Sequence, residues 1–494
     1  MTRYGGILFL ALCSGLLHAQ ASYNYNLVRI WDTTTEFTSR GKVRGAIGHQ
    51  SQGFPPGVLG GLNKLTRVQF VVQDGNSGTV EPFNFRVSPT AASGGPDYAR
   101  GKNLNGTPLS IRKGGGAASM LVTLTFPVAN GKPIDLAALK DAQNKPLLDP
   151  YEVIHFGWQF TKTANWTTDG VSVHMSNGDR QMPGGGQGSL FCWRNNYHRE
   201  IPRPEKFAAA DPTNQIIERL AWSTVSGQSG VDFLDRSWRL DLSFDEPILQ
   251  GGADNVAYNA WPCQNPNPGY AALDPDFNDK GGASVARYDD YEWRVTSKAH
   301  SGGVGVLFLS ISTLETPLSL GGIGGKLYLD PTDPLMALGG LVMGTLNSWG
   351  GASFKLKLGK GGSTNTLRKV ISSLPAVHAQ AYLVKLQGGV KLDFSSVWTF
   401  RPALGPTGFR RAQALSGTPV KLARKPADRS LYVRNDGLAV LRVQQFIGAS
   451  TRPVRVSKVP ARMGLRVLFF PAATRVEIVT SSTRKHDLAY AFNF

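Results

Sequence analysis

Apolar residues recur at every second position in short runs along most of the chain. In Trp238-Arg239-Leu240-Asp241-Leu242-Ser243-Phe244 the alternate residues are apolar and the rest polar. That is the period of a strand with one face in a core and the other in water. Comparable runs predict strands at 67–73, 80–87, 120–128, 151–160, 171–175, 215–225 and 236–244. Further along they predict strands at 305–312, 326–330, 353–358 and 377–386, then at 438–445, 454–459, 465–470, 475–480 and 487–494. Turn formers such as Gly94-Gly95-Pro96, Gly114-Gly115-Gly116 and Gly184-Gly185-Gly186 separate the runs. Helical signals are sparse: a short helix over 134–142 with Asp135 near its start, and a turn around 366–372.

Short strands, frequent turns and little helix define an all-β chain, built as a multi-domain set of β-sandwich or jelly-roll-like units. A positive start at Arg3, an apolar run from Ile7 to Leu17 and the small-x-small site Ala19-Gln20-Ala21 predict a secretory signal peptide over 1–21. The run is too short to cross a hydrocarbon core of about 30 Å. The longest later apolar stretch, 335–346, contains three glycines and is expected to be a buried strand or turn. The expected units are an N-terminal β-rich domain over 22–283, a β-sandwich over 284–401 and a basic β domain over 402–494.

Charge changes the picture at the C-terminal end. From Arg401 onward there are 13 Arg and 4 Lys against 3 Asp and 1 Glu, or +13 of the chain's net +18. Planar guanidinium forks match the oxygens of carboxylates, sulfates and phosphates. Arg442, Arg452, Arg455, Arg462, Arg466 and Arg475 are the candidate anion-binding residues, and an acidic polysaccharide or other anionic surface polymer is the expected partner. No recognisable nucleic-acid motif accompanies the charge, so a specific nucleic-acid partner is not expected. A peripheral association with membrane or envelope fits the same charge.

Only Cys192 and Cys263 remain after signal removal, and a disulfide between them is expected in an oxidising compartment. Closing that loop of about 70 residues would add about 4 kcal/mol by the chain-entropy model. Asp274, Asp276 and Asn278 alternate in a short acidic loop and are the candidate ligands of a structural calcium ion; no other cofactor is expected, since two cysteines without nearby paired histidines do not make a zinc site. An EF-hand is excluded, because its sixth position is Asp279 rather than Gly and no Glu stands at the twelfth.

Enzyme signatures are absent: Gly227-Gln228-Ser229-Gly230 lacks nucleophile-elbow spacing, no His-Glu-x-x-His occurs, and Gly324-Gly325-Lys326 is followed by Leu327. Glu152, His155, Asp169, His174 and Asp179 form a loose group of acid–base candidates. A regular strand would point Glu152 and His155 to opposite faces. The alternating Leu488, Tyr490, Phe492 and Phe494 match the closing strand of outer-membrane barrels, although arginines on the neighbouring strands would be costly against lipid. The sequons at Asn105 and Asn165 are read as chance.

Four segments carry a family resemblance: Ile30-Trp31-Asp32-Thr33-Thr34-Thr35-Glu36-Phe37-Thr38, Trp166-Thr167-Thr168-Asp169-Gly170-Val171-Ser172-Val173-His174, Gly325-Lys326-Leu327-Tyr328-Leu329-Asp330-Pro331-Thr332-Asp333-Pro334 and Val377-His378-Ala379-Gln380-Ala381-Tyr382. They resemble predicted secreted proteins of planctomycete bacteria, in which a β-rich part precedes a sandwich with a Leu-Tyr-x-Asp-Pro strand. The likeness spans about residues 25–400 and leaves out the basic C-terminal unit. It implies export and β architecture, and carries no established catalytic residues. The expectation is a non-catalytic extracellular or cell-envelope protein with a surface-structural or glycan- and anion-binding role. The alternatives are a secreted hydrolase with an unrecognised N-terminal site and an outer-membrane-associated β protein.

Overall fold

The computed structural model describes residues 24, 26–29, 39–43, 48–54, 56–74, 81–92, 96–105, 109–111, 120–126, 132–160, 171–175, 192–195, 240–253, 290–348, 350–357, 374–400, 408–437, 439–461, 463–483 and 485–494. The chain is all-β, and every ladder among the described strands is antiparallel. Described helix is confined to single turns at Pro56–Leu59, Leu136–Ala138, Lys298–His300 and Pro334–Ala337.

The first unit contains β1 (Asn26–Arg29), β2 (Ser39–Val43), β3 (Gly48–Phe54), β4 (Lys64–Asp74), β5 (Glu81–Ser88), β6 (Lys102–Asn103), β7 (Leu109–Ile111), β8 (Met120–Thr125), β9 (Ile134–Asp135), β10 (Ile154–Phe160), β11 (Val171–Met175), β12 (Cys192–Asn195) and β13 (Leu240–Phe244). One sheet runs β1-β13-β4-β11-β2, with β8 and β9 also on β4; the other runs β12-β3-β10-β5-β6, with β7 also on β5. Aromatic residues join them: Phe70 of β4 stacks on Trp158 of β10 at 5.1 Å and meets Phe83 of β5 edge-on at 5.6 Å. Each such ring buries roughly 150–250 Å², so these contacts dominate the local core.

The second unit contains β14 (Ile248–Ala253), β15 (Asp290–Thr296), β16 (Val304–Ser310), β17 (Thr313–Leu318), β18 (Leu327–Leu329), β19 (Leu341–Thr345), β20 (Gly351–Lys357), β21 (Val377–Lys385) and β22 (Lys391–Phe400). Its sheets run β14-β15-β20, β19-β16-β21-β22 and β17-β18. Strand β14 precedes residue 283 in sequence yet hydrogen-bonds to β15 along its whole length. Buried residues of both units, from Val28 and Trp158 to Trp293 and Trp398, form one continuous core.

The third unit contains β23 (Arg410–Ala414), β24 (Val420–Ala423), β25 (Ser430–Asn435), β26 (Leu441–Phe446), β27 (Arg455–Val459), β28 (Gly464–Leu468), β29 (Arg475–Thr480) and β30 (His486–Phe492). The sheets run β23-β30-β25-β28 and β24-β29-β26-β27. Numbered within the unit, that is 1-8-3-6 against 2-7-4-5, the order of an eight-stranded jelly roll. It encloses its own core around Val433, Leu441, Val443, Leu465, Val476 and Leu488. The same path is visible in the second unit, where β19-β16-β21, β15-β20 and β17-β18 repeat the pairings β28-β25-β30, β24-β29 and β26-β27. The first unit holds its skeleton too, as β3-β10-β5-β7 beside the β4-β8 pair.

Three local expectations are corrected. The helix expected over 134–142 is a bridge and one 3-10 turn. Asp135 caps that turn by accepting from the amides of Ala137 and Ala138, at 3.0 and 3.3 Å. The Leu147 amide then claims the Leu139 carbonyl, which pulls the chain into a tight hairpin with Asn144 in left-handed backbone. Strand β13 has no wet face: Asp241 and Ser243 are only 7% and 1% exposed, so both faces of this strand, which pairs with β1 and β4, are covered. The 335–346 stretch is only partly buried: Leu338 and Val342 are 79% and 67% exposed, whereas Met343 and Leu346 sit in the core at 6% and 1%. Asp333 caps its helical turn, and β19 pairs only with β16 at the sheet edge.

Candidate functional site

Where the three units meet, a short loop of the first unit touches both of the others. Asp149 accepts from the Tyr151 amide at 2.9 Å, and the Glu152 amide donates to the Asp149 carbonyl at 3.0 Å. This Asx-type turn is what Asp favours before Pro150. It places Tyr151 against both other units. Its hydroxyl donates to the Glu315 carbonyl at 2.8 Å, and its own carbonyl accepts from the Ala461 amide at 2.9 Å. The Lys458 ammonium lies 4.9 Å above its ring and 3.6 Å from the Asp149 carboxylate. The Glu315 carboxylate in turn holds Arg455 at 3.3 Å and the buried Ser457 hydroxyl at 3.0 Å.

Beside this junction is a cavity of about 430 Å³, lined by Pro89, Arg100, Pro146, Leu147, Leu148, Asp149, Pro150, Tyr151, Glu152 and Lys458. Arg100 reaches Asp141 at 3.5 Å, and nearly half of its side chain stays exposed. Glu152 is the unusual member. Burial, reinforced by the neighbouring Asp149 charge, pushes its carboxyl up to about 7, while Arg442, Arg100 and Lys458 pull the other way. Among the described residues no donor meets this carboxylate. Arg442 and Lys458 are cross-strand partners on β26 and β27, so both project from the same outer face.

The six candidate arginines do different things. Arg466 reaches into the second unit, 3.0 Å from Asp330 and 2.6 Å from the Thr332 hydroxyl. Arg455 pairs with Glu315 as described. Arg475 sits 3.3 Å from Glu477, donates to the Ser450 carbonyl at 2.9 Å and stacks on Phe446 at 4.5 Å. Arg442 is half-buried beside the cleft, Arg452 is exposed in the β26–β27 loop, and Arg462 lies outside the described residues. A further arginine, missed from sequence, is the most buried: Arg434 is 1% exposed, 3.1 Å from Asp436, and donates to the Pro375 carbonyl of the second unit at 3.2 Å.

The acid–base group does not come together among the described residues. Strand β10 begins at Ile154, so Glu152 belongs to the turn and faces the cleft. His155 points into the core, fully buried, with its Nε2 3.3 Å from the Thr90 hydroxyl. Burial pushes its imidazole down to about 3, which keeps it neutral. Asp169 and Asp179 lie outside the described residues, as do Asp274, Asp276, Asn278 and Cys263; of His174 and Cys192 only the strand backbone is described. No group of three His, Cys, Asp or Glu residues suited to a metal occurs among the described residues.

One Ser–His–Asp arrangement, also missed from sequence, does exist. The Ser297 hydroxyl lies 2.8 Å from His300 Nδ1, and an Asp393 oxygen lies 3.0 Å from Nε2. Ser297 and His300 are 1% and 0% exposed, so no substrate reaches the hydroxyl. The contacts pin a 3-10 turn to β22, and Gly324 makes room, since a Cβ there would fall 1.7 Å from an Asp393 oxygen.

No protein-family model and no curated protein sequence matches the chain. Among solved structures, a Salmonella alpha-2-macroglobulin reacted with methylamine aligns at 10% identity and a TM-score of 0.15, covering 93% of this chain and 22% of that one. This chain therefore spans about a fifth of that protein's length. A triple jelly roll protein from an archaeal virus turret aligns at 11% identity and a TM-score of 0.12, covering 96% and 88%. Procruciferin, an 11S globulin from Brassica napus, aligns at 8% identity and a TM-score of 0.11, covering 96% and 86%. At such scores these likenesses carry no argument; the all-β architecture rests on the strand pairings themselves. No helix among the described residues is long and apolar enough to cross a membrane.

Proposed function

We propose that this chain is an exported, non-catalytic protein of the cell surface or envelope that combines a structural role with the holding of an acidic polysaccharide or similar anionic polymer. The observation that carries the reading is how the cations of the third unit are divided. Arg455 and Arg466 are engaged with Glu315 and Asp330, which ties the third unit to the second. Arg410, Lys421, Lys425, Arg429 and Arg452 remain exposed on that block. A fixed array of exposed cations attracts a polyanion without folding around it, and its grip weakens as salt screens the charges. The signal peptide over 1–21 and the Cys192–Cys263 disulfide belong to the same reading.

The test is chromatography of the full-length mature protein on immobilised polygalacturonate and on the neutral matrix alone. We expect retention on the polyanion at low ionic strength, release by salt, and earlier release after Arg410→Glu with Arg429→Glu. Passage of the wild-type protein through both columns alike would reject the proposal. In fractionated cells the protein is expected to leave the envelope with a salt wash and without detergent.

A further inference from the structure

We infer that the cleft between Glu152 and Lys458 is a binding site for a uronate sugar, a subsite for one residue of the acidic polymer; the inference rests on the polysaccharide reading above. At about 430 Å³ it lies within the usual range of small-ligand sites, roughly 300–1,000 Å³. The loop from Pro146 to Glu152 forms most of its lining, and Pro89 and Arg100, with Lys458 of the third unit, complete it. Two of its cations, Arg100 and Lys458, keep 47% and 42% of their side chains exposed at the rim and are within reach of a ligand carboxylate. Their present partners, Asp141 at 3.5 Å and Asp149 at 3.6 Å, are too distant for strong hydrogen bonds. Pro89, Pro146 and Leu147 give the lining an apolar part suited to a sugar ring's C–H face. Glu152 adds an oxygen pair with no donor among the described residues, ready for sugar hydroxyls.

The charge state of Glu152 gives the site a signature. Its carboxyl titrates at about 7 and faces Asp149, Arg100, Arg442 and Lys458. When it is protonated, one negative charge leaves the cleft and an O–H donor appears; both favour an anionic ligand. Affinity for a uronate therefore falls as pH rises through 7, while the ligand itself, a carboxylate already ionised at pH 6, does not change.

The measurement is calorimetric titration of the full-length protein with tri-galacturonate at pH 6 and pH 8, at constant ionic strength. Wild type should bind about fivefold to tenfold more tightly at pH 6, as expected when a group titrating near 7 must take up a proton. Glu152→Gln should hold the tighter affinity at both pH values. Lys458→Ala and Arg100→Ala should each weaken binding about tenfold at both, the size of one charge-assisted hydrogen bond. Thermal unfolding of each variant checks that it folds. If the wild type is retained on polygalacturonate but these variants leave its affinity and pH profile unchanged, the cleft is not the subsite and the wider reading survives. If the wild type binds neither polymer nor trimer, both fall together.

Discussion

At the scale of single residues, the clearest consequence comes from a group inside the core. His155 is fully buried and its imidazole is pushed down to about 3, whereas in the unfolded chain it titrates near 6.5. Between those values the unfolded chain binds a proton that the folded one refuses, so stability falls as pH falls through the window. At pH 4 the loss from this one residue is on the order of 3 kcal/mol. Denaturant unfolding at pH 7 and pH 4 should therefore show a smaller acid penalty in His155→Gln than in wild type. An equal penalty in both would mean that the histidine is not the group responsible. Glu152 works in the opposite direction: its raised carboxyl favours folding at low pH, and that contribution is lost as pH rises from about 4.5 to about 7. Alternation along the sequence separates Glu152 from His155, and the structure does separate them, one in a cleft and one in a core. What the sequence could not tell is that Glu152 would meet Lys458 and Arg442, because those neighbours lie some 300 residues away across a unit boundary.

At the scale of elements, β25 and β28 show both how the units are joined and why part of the pattern was unreadable. The strand at 475–480 was predicted to the residue, as was that at 171–175, because each alternates cleanly or stands between obvious turns. Strand β25 escaped notice, because all six of its residues are buried and include Tyr432, Arg434 and Asn435. Its outward side chains are covered by the second unit instead of water, so no polar face marks it. The Tyr432 hydroxyl donates to the Ile311 carbonyl at 2.7 Å and passes directly over Gly464 of β28. A Cβ at Gly464 would fall 2.0 Å from that oxygen. Gly464→Ala should therefore cost about 2 kcal/mol by overpacking, and Tyr432→Phe about 1 kcal/mol by loss of the hydrogen bond. Because Tyr432→Phe removes the nearest clashing atom and leaves the ring Cζ at 2.7 Å, it relieves part of the overlap, and the double variant should be more stable than the sum of the two predicts. Strict additivity in denaturant unfolding would show that the two residues do not meet.

At the scale of the whole molecule, three β units that share part of one strand path are built on two hydrophobic cores. The repeat leaves no sequence trace, because a jelly roll asks only for alternation and turns, and many unrelated residues satisfy both. The first two units share a single core and so should unfold as one. The third has its own core and is attached through side-chain contacts such as Arg466 to Asp330, Arg455 to Glu315, Arg434 to the Pro375 carbonyl and Tyr432 to the Ile311 carbonyl, with backbone bonds from Ala461 to Tyr151 and from Thr483 to Ala92. The chain carries a natural label for telling them apart. Its last tryptophan is Trp398, so tryptophan emission reports the first two units, with Trp158, Trp293 and Trp398 all inside the shared core. Circular dichroism reports the strands of all three. Charge reversal at Arg455 and Arg466 turns two attractive contacts between units into repulsion while leaving both cores intact. In urea, that double variant should lose part of its dichroism before its tryptophan emission changes, and the emission midpoint should stay near the wild-type value. The wild-type protein, held by the full set of contacts, should show the two signals closer together. Coincident transitions in the variant would place the third unit within the same cooperative body as the other two, and the ion pairs would then be incidental to its attachment.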